Sequence, residues 1–136
     1  MRTALGLLPL LLLASCASLE PRRACAPGEE PMRTAQLFFG QNIGDKPGVS
    51  DVDFRKFTDE VLTPRFPEGL TVLDGGGQWT GAENKLIREA AKVVVLVLPK
   101  ERGDTQRKLG EVRQAYIQRF HQDSVMMISQ RACVSF

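Results

Sequence analysis

Apolar and polar residues change rhythm several times along this chain, and each change marks an element. The run "TAQLFFGQNI" from Thr34 gathers aromatic and aliphatic residues over the length of a strand, which predicts a buried β-strand. "GDKPG" then turns the chain. Ser50 opens a helix, with Asp53 three positions on as in a capping box and the early acids at the positive end of the helix dipole. Phe54, Phe57 and Val61 recur at helical spacing and define one apolar face, and Pro64 and Pro67 end the helix. "LTVLDGGGQW" reads as a second strand. "KVVVLVL" reads as a third, and its lack of alternation predicts burial on both faces or a central place in a sheet. After Pro99, Asp104 can cap a second helix in which Leu109, Val112, Tyr116 and Phe120 repeat at three- and four-residue steps. "SVMMISQRACVSF" supplies a last strand.

Strand, helix, strand, strand, helix, strand predicts an α+β, ferredoxin-like βαββαβ fold: a four-stranded antiparallel sheet of order 4-1-3-2 with two helices on one face. One segment leaves two readings open. "AENKLIREAAK", Ala82 to Lys92, has a composition good for a helix, but it also serves as the return strand of a hairpin starting around Leu86. The choice decides what "DGGGQWTG" does. A phosphate loop needs Lys and Ser or Thr directly after its last glycine, and Ala82 and Glu83 stand there instead. The dinucleotide fingerprint fails as well, because Thr80 occupies the place of its third glycine. The glycines are therefore expected to mark a bulge or sharp twist in a strand.

The first fifteen residues carry a different signal. Arg2 precedes an apolar run from Ala4 to Ala14, which is too short to span a bilayer and fits an export signal. "Leu13-Ala14-Ser15-Cys16" resembles a bacterial lipobox, which implies cleavage before Cys16 and acylation of that residue. Ala17 follows where an inner-membrane retention signal would have aspartate, so the expected address is the periplasmic face of an outer membrane. Residues 16–32, rich in proline and charge, read as the lipidated cysteine and a flexible tether, and 33–136 as a single domain. Net charge is +2 with basic residues scattered among acidic ones, which excludes the clustered cation surface of a nucleic-acid binder.

Export places Cys25 and Cys133 in an oxidising compartment. In the predicted topology the end of the last strand lies beside the start of the first, so a Cys25–Cys133 disulfide is geometrically reasonable. The single histidine, His121, has no companions at zinc-binding spacing, and no nucleophile elbow accompanies it. No metal, cofactor or catalytic residue is therefore assigned. Trp79, the only tryptophan, can serve as a stacking platform beside Gln78. Along a return strand, alternation puts Arg88 and Lys92 on one face, suited to an anionic group, and Glu89 on the other.

"FFGQ", "LTPRFPEGLTVLDGGGQW", "KVVVLVLP", "AYIQRFHQDSV" and "ACVSF" together resemble the bacterial family called domain of unknown function 3574, over Arg33 to Phe136. The resemblance implies small exported proteins and lipoproteins and a turn plus strand after "GQW"; it implies no activity. The functional expectation is a lipid-anchored binding or interaction module with an envelope protein as partner. The alternative is a small periplasmic enzyme or ligand carrier with a cleft between the sheet and the 75–92 hairpin.

Overall fold

Alternation along one strand sets up the whole domain. In β1 (Glu30–Gly40) the odd-numbered Ala35, Leu37 and Phe39 are fully buried, while the even-numbered residues between them are only partly covered. This is the period-2 pattern of a sheet that packs on one side. A computed structural model describes residues 24–44, 46–98 and 103–136; the signal segment 1–15, Cys16 and residues 17–23 of the expected tether lie outside the described residues.

β1 is followed by the two-residue strands β2 (Asn42–Ile43) and β3 (Lys46–Pro47), then α1 (Asp51–Phe57), which runs on as a π-type turn over Thr58–Leu62. Then come β4 (Thr71–Thr80), β5 (Leu86–Leu98), α2 (Thr105–Phe120) and β6 (Met126–Val134). The four long strands form one sheet in the order β4-β5-β1-β6 with every neighbour antiparallel, and β2 and β3 pair separately. The fold is thus α+β, with a four-stranded antiparallel sheet and two helices. Its order differs from the expected 4-1-3-2 numbering because β2 and β3 intervene. They are too short and polar to leave a hydrophobic pattern.

Both helices pack on the odd face of β1. Phe54 and Phe57 of α1 and Leu109, Val112 and Tyr116 of α2 join Leu37, Phe39, Val94 and Leu96 in one core. Phe39 ties the sheet to both helices: its ring lies 4.7 Å from Tyr116 and 5.5 Å from Phe54, edge to face. Aromatic pairs in this arrangement add about 0.5–1.5 kcal/mol each beyond the area they bury. Ser50 closes the capping box with Asp53: Oγ accepts from Asp53 N–H at 3.1 Å, and the Asp53 carboxylate accepts from Ser50 N–H at 3.3 Å. The carboxyl of Asp53 is held below its ordinary range first by the Ser50 hydroxyl, which donates to it at 2.6 Å, and then by the Ser50 N–H.

Four expectations need correction. Asp104 stands before α2 but makes no side-chain cap; its carboxylate is drawn instead to Lys108 Nζ at 3.1 Å. Of the two readings of "KVVVLVL", the central place holds, since β5 lies between β4 and β1, but burial on both faces does not: Val94, Leu96 and Leu98 are buried and Val93, Val95 and Val97 only partly so. The glycines of β4 form no bulge: pairing with β5 runs without a slip from Thr71↔Val95 to Thr80↔Leu86, and none of Gly75, Gly76 and Gly77 has positive φ. Finally, β1 begins at Glu30, within the stretch expected as tether, because Glu30, Pro31 and Met32 pair with Val134, Cys133 and Ala132. The segment Ala82 to Lys92 resolves as a single 3-10 turn at Ala82–Asn84 followed by a strand, as the hairpin reading has it.

Candidate functional site

The sheet face opposite the helices carries Leu73, Gly75, Gly77 and Trp79 from β4 and Glu89, Ala91, Val93, Val95 and Val97 from β5. To these it adds Phe38 and Gly40 from β1 and Met126 and Ile128 from β6. Among the described residues no helix covers it. At one end the face sinks into a trough of about 570 Å³, within the usual range for small-molecule sites. Gly75, Gly77 and Ala91 give it a floor almost without side chains. Trp79, Phe38 and Met126 supply apolar walls, and His121 to Ser124, between α2 and β6, close one side.

The glycines now have a reason that needs no unusual backbone. A Cβ on Gly77 would lie 3.8 Å from the indole of Trp79, and one on Gly75 would lie 3.3 Å from a Val93 methyl. Any larger side chain would fill the trough. The indole is 45% exposed and sits two residues along the same face, so it is not a lid on its own core.

Gly40 acts on Glu89. A Cβ there would come within 2.5 Å of Glu89 Oε1, so only glycine lets the carboxylate cross the strand and accept from Asn42 N–H at 2.7 Å. Gly40 also offers its carbonyl to the Tyr116 hydroxyl at 2.8 Å. Burial, and next the charge of Glu89, push the Tyr116 phenol well above the usual tyrosine range. Gln41 finishes the junction: its side chain donates to Val49 O at 3.0 Å, and its carbonyl accepts from Gly48 and Val49. "FFGQ" therefore builds one end of the trough, with Glu89 as the acid fixed there.

The candidates read from the sequence fall on two faces. Trp79 lines the trough, whereas Gln78, Arg88 and Lys92 point to the helix side of the sheet. Arg88 Nε donates to Gln78 Oε1 at 3.0 Å. Lys92, 8% exposed, places Nζ 2.6 Å from Asp51 Oδ1 and also contacts the Asp74 carboxylate. Hydrogen bonds to Asp51 and then Asp74 raise its pKa, and the bond from Lys92 lowers that of Asp51. Lys92 thus joins α1 to the sheet, with two carboxylates already where an anionic ligand would sit. Phe38, Met126 and the His121–Ser124 segment have no sequence signal beyond ordinary core or loop composition. His121 is the C-cap of α2 with φ 52, a left-handed position.

Cys25 and Cys133 are joined as a disulfide with Cα atoms 5.5 Å apart, far from the trough along β1 and β6. They form, with Glu29, the cluster of metal-ligand types found among the described residues, but the two sulfurs are bonded to each other.

A family described as "Protein of unknown function (DUF3574)" matches residues 34–136. Among solved structures, a phage SAM lyase in the apo state is similar at 21% identity and a TM-score of 0.57, over 78% of this chain and 90% of that one. A phage SAM lyase in complex with S-methyl-5'-thioadenosine is similar at 19% identity and a TM-score of 0.56, over 86% of this chain and 97% of that one. At this identity the likeness concerns the fold. The comparison with curated proteins gives no match.

Proposed function

The chain belongs to the DUF3574 family of proteins of unknown function, and from that premise we propose that it is a lipid-anchored binding module of the bacterial cell envelope. Its trough takes a flat, largely apolar small molecule. One observation carries the ligand reading: a half-exposed Trp79 stands over a side-chain-free floor, with the Glu89 carboxylate fixed at the far wall. A flat ring gains by stacking on the indole, an apolar substituent gains against Phe38 and Met126, and the acid favours a neutral or cationic group over an anion. Binding needs no catalytic residue, and none is assigned.

The order of the long strands and helices supports a ferredoxin-like fold with the β2–β3 pair inserted: read from the β6 edge, the long strands run fourth, first, third, second in chain order. Such folds carry many activities, so the ligand must be argued from the trough itself. A nucleoside thioether combines a flat ring with an apolar end, and one of the similar structures holds S-methyl-5'-thioadenosine. That makes it the first probe.

Because Trp79 is the only tryptophan, its fluorescence reports the trough without labels. Titration with S-methyl-5'-thioadenosine or adenosine is expected to change the emission saturably, and Trp79→Ala to abolish the heat of binding in calorimetry. No saturable change with either compound overturns the ligand reading. The address rests on the lipobox-like "LASC" and is tested separately. Cys16→Ser is expected to move the protein from the membrane fraction to the soluble one; retention in membranes would remove acylation of Cys16 as the anchor.

A further inference from the structure

We propose that the open sheet face is an interface, and that its occupant is a second copy of this chain stacked face to face. Two cross-strand rows define the patch. Leu73, Val93, Phe38 and Met126 lie side by side across all four strands, and the row next to them is Thr71, Val95, Gln36 and Ile128. Leu73 and Met126 are 50% and 54% exposed, which ordinary solvated strands avoid.

Charge supports the same conclusion. The chain has 18 Lys and Arg, yet no strand position on this face carries one; its carboxylates are Glu30 at the far end and Glu89 on the Asn42 amide. A soluble sheet face normally interleaves charges to prevent association. A largely apolar, cation-free patch, broken by the uncharged Thr71 and Gln36, is complementary to itself, as a two-fold contact requires, and stacked sheets pack about 10 Å apart.

Area and the remaining chain narrow the occupant. Four strands about 4.8 Å apart and about seven residues long span roughly 450 Å² in projection. Side-chain relief brings this to roughly 700–800 Å², the share each partner contributes to a stable interface of standard size. The chain's own N-terminal part is poorly suited to cover it. The segment "CASLEPRR" has Leu19 as its single large apolar residue beside two arginines, a composition unlike that of an apolar cover. The face shares Phe38, Val93 and Met126 with the trough, whereas Leu73, Val95 and Ile128 lie outside it, so substitutions at Val95 and Ile128 test the interface without touching the ligand site.

Native mass spectrometry of the processed protein, released from membranes in mild detergent at micromolar concentration, is expected to give twice the chain mass. Val95→Lys and Ile128→Lys place an unpaired cation in the stacked face and are each expected to weaken dimerisation by at least ~100-fold. Val52→Lys, at a 73% exposed position on α1, is expected to leave the dimer intact. Circular dichroism and an alkylation-resistant Cys25–Cys133 bridge show that each variant is folded. A wild-type protein of single chain mass, or a dimer that persists in both folded face variants, overturns the proposal. Trp79 fluorescence with ligand is scored apart, so failure of either proposal leaves the other standing.

Discussion

Removing the Cys25–Cys133 bridge tests whether the sequence ends are held by the sheet or by the sulfur link. The cysteines are separated by 108 positions, so nearly the whole domain is the closed loop. The chain-entropy relation then gives about 16 cal/mol/K, or about 5 kcal/mol at 25 °C, taken from the unfolded state. The native state should lose little by comparison, because Glu30 to Met32 keep their pairing with Ala132 to Val134. With a urea slope of about 1.5 kcal/mol/M for a domain of this size, the midpoint should fall by about 3 M. The assay is urea unfolding followed by circular dichroism, comparing wild type with the Cys25→Ser, Cys133→Ser double variant. Free energies are compared as well as midpoints, since a more expanded unfolded chain also steepens the slope. Mass analysis before and after reduction first confirms that two hydrogens are gained. A loss below about 1.5 kcal/mol would refute the reasoning, because the unfolded chain would then be confined by something other than the bridge.

Three further outcomes are expected. Tyr116 is the only tyrosine, so tyrosinate absorbance is unambiguous; ionisation should begin well above the ordinary value of 10.0 and coincide with unfolding. The raised phenol and the raised Lys92 both act in one direction: their stabilisation is present below 10.0 and 10.5 and is lost as pH rises past those values through the folded ones. Asp51 and Asp53 act oppositely, stabilising above 3.8 and losing that contribution as pH falls through their lowered values. In Lys92→Met, carboxyl NMR should find Asp51 returned toward 3.8 while Asp53, governed by Ser50, stays low; an unmoved Asp51 would contradict the assignment. Gly40→Ala should cost about 1 kcal/mol by displacing the Glu89 carboxylate from the Asn42 amide, and almost nothing more in a Glu89→Ala background. Additive costs in that cycle would show that the glycine serves some other neighbour.

Much of the scaffold was legible because it rests on local rules. Ser50 and Asp53 are a capping box by residue type and spacing, and the Phe54, Phe57 and Val61 stripe marks the buried side of a helix without any tertiary information. The hairpin was harder, since "AENKLIREAAK" is good helix material. Pairing of Leu86 to Ala91 with the glycine-rich strand overrides that propensity. Least visible was one-sidedness. Val93 to Leu98 is apolar at every position, and no local pattern tells which set a helix will cover. The site was correspondingly half visible. Trp79 is conspicuous as a lone large aromatic beside glycines, whereas Phe38 and Met126 become wall residues only through β1–β5 and β1–β6 register. Glu89 could be set apart from Arg88 and Lys92 by alternation alone, yet its bond to Asn42 spans 47 residues and needed the fold.

The bridge near residue 25 also decides how the domain bears a pull. Traction arriving along the preceding chain meets Cys25 before it meets β1, and the sulfur link passes part of it sideways into β6 at Cys133. Two adjacent strands then take the load together instead of one being peeled from its neighbours. A tug on the leading end should therefore leave Trp79 and the opposite end of the sheet unstrained.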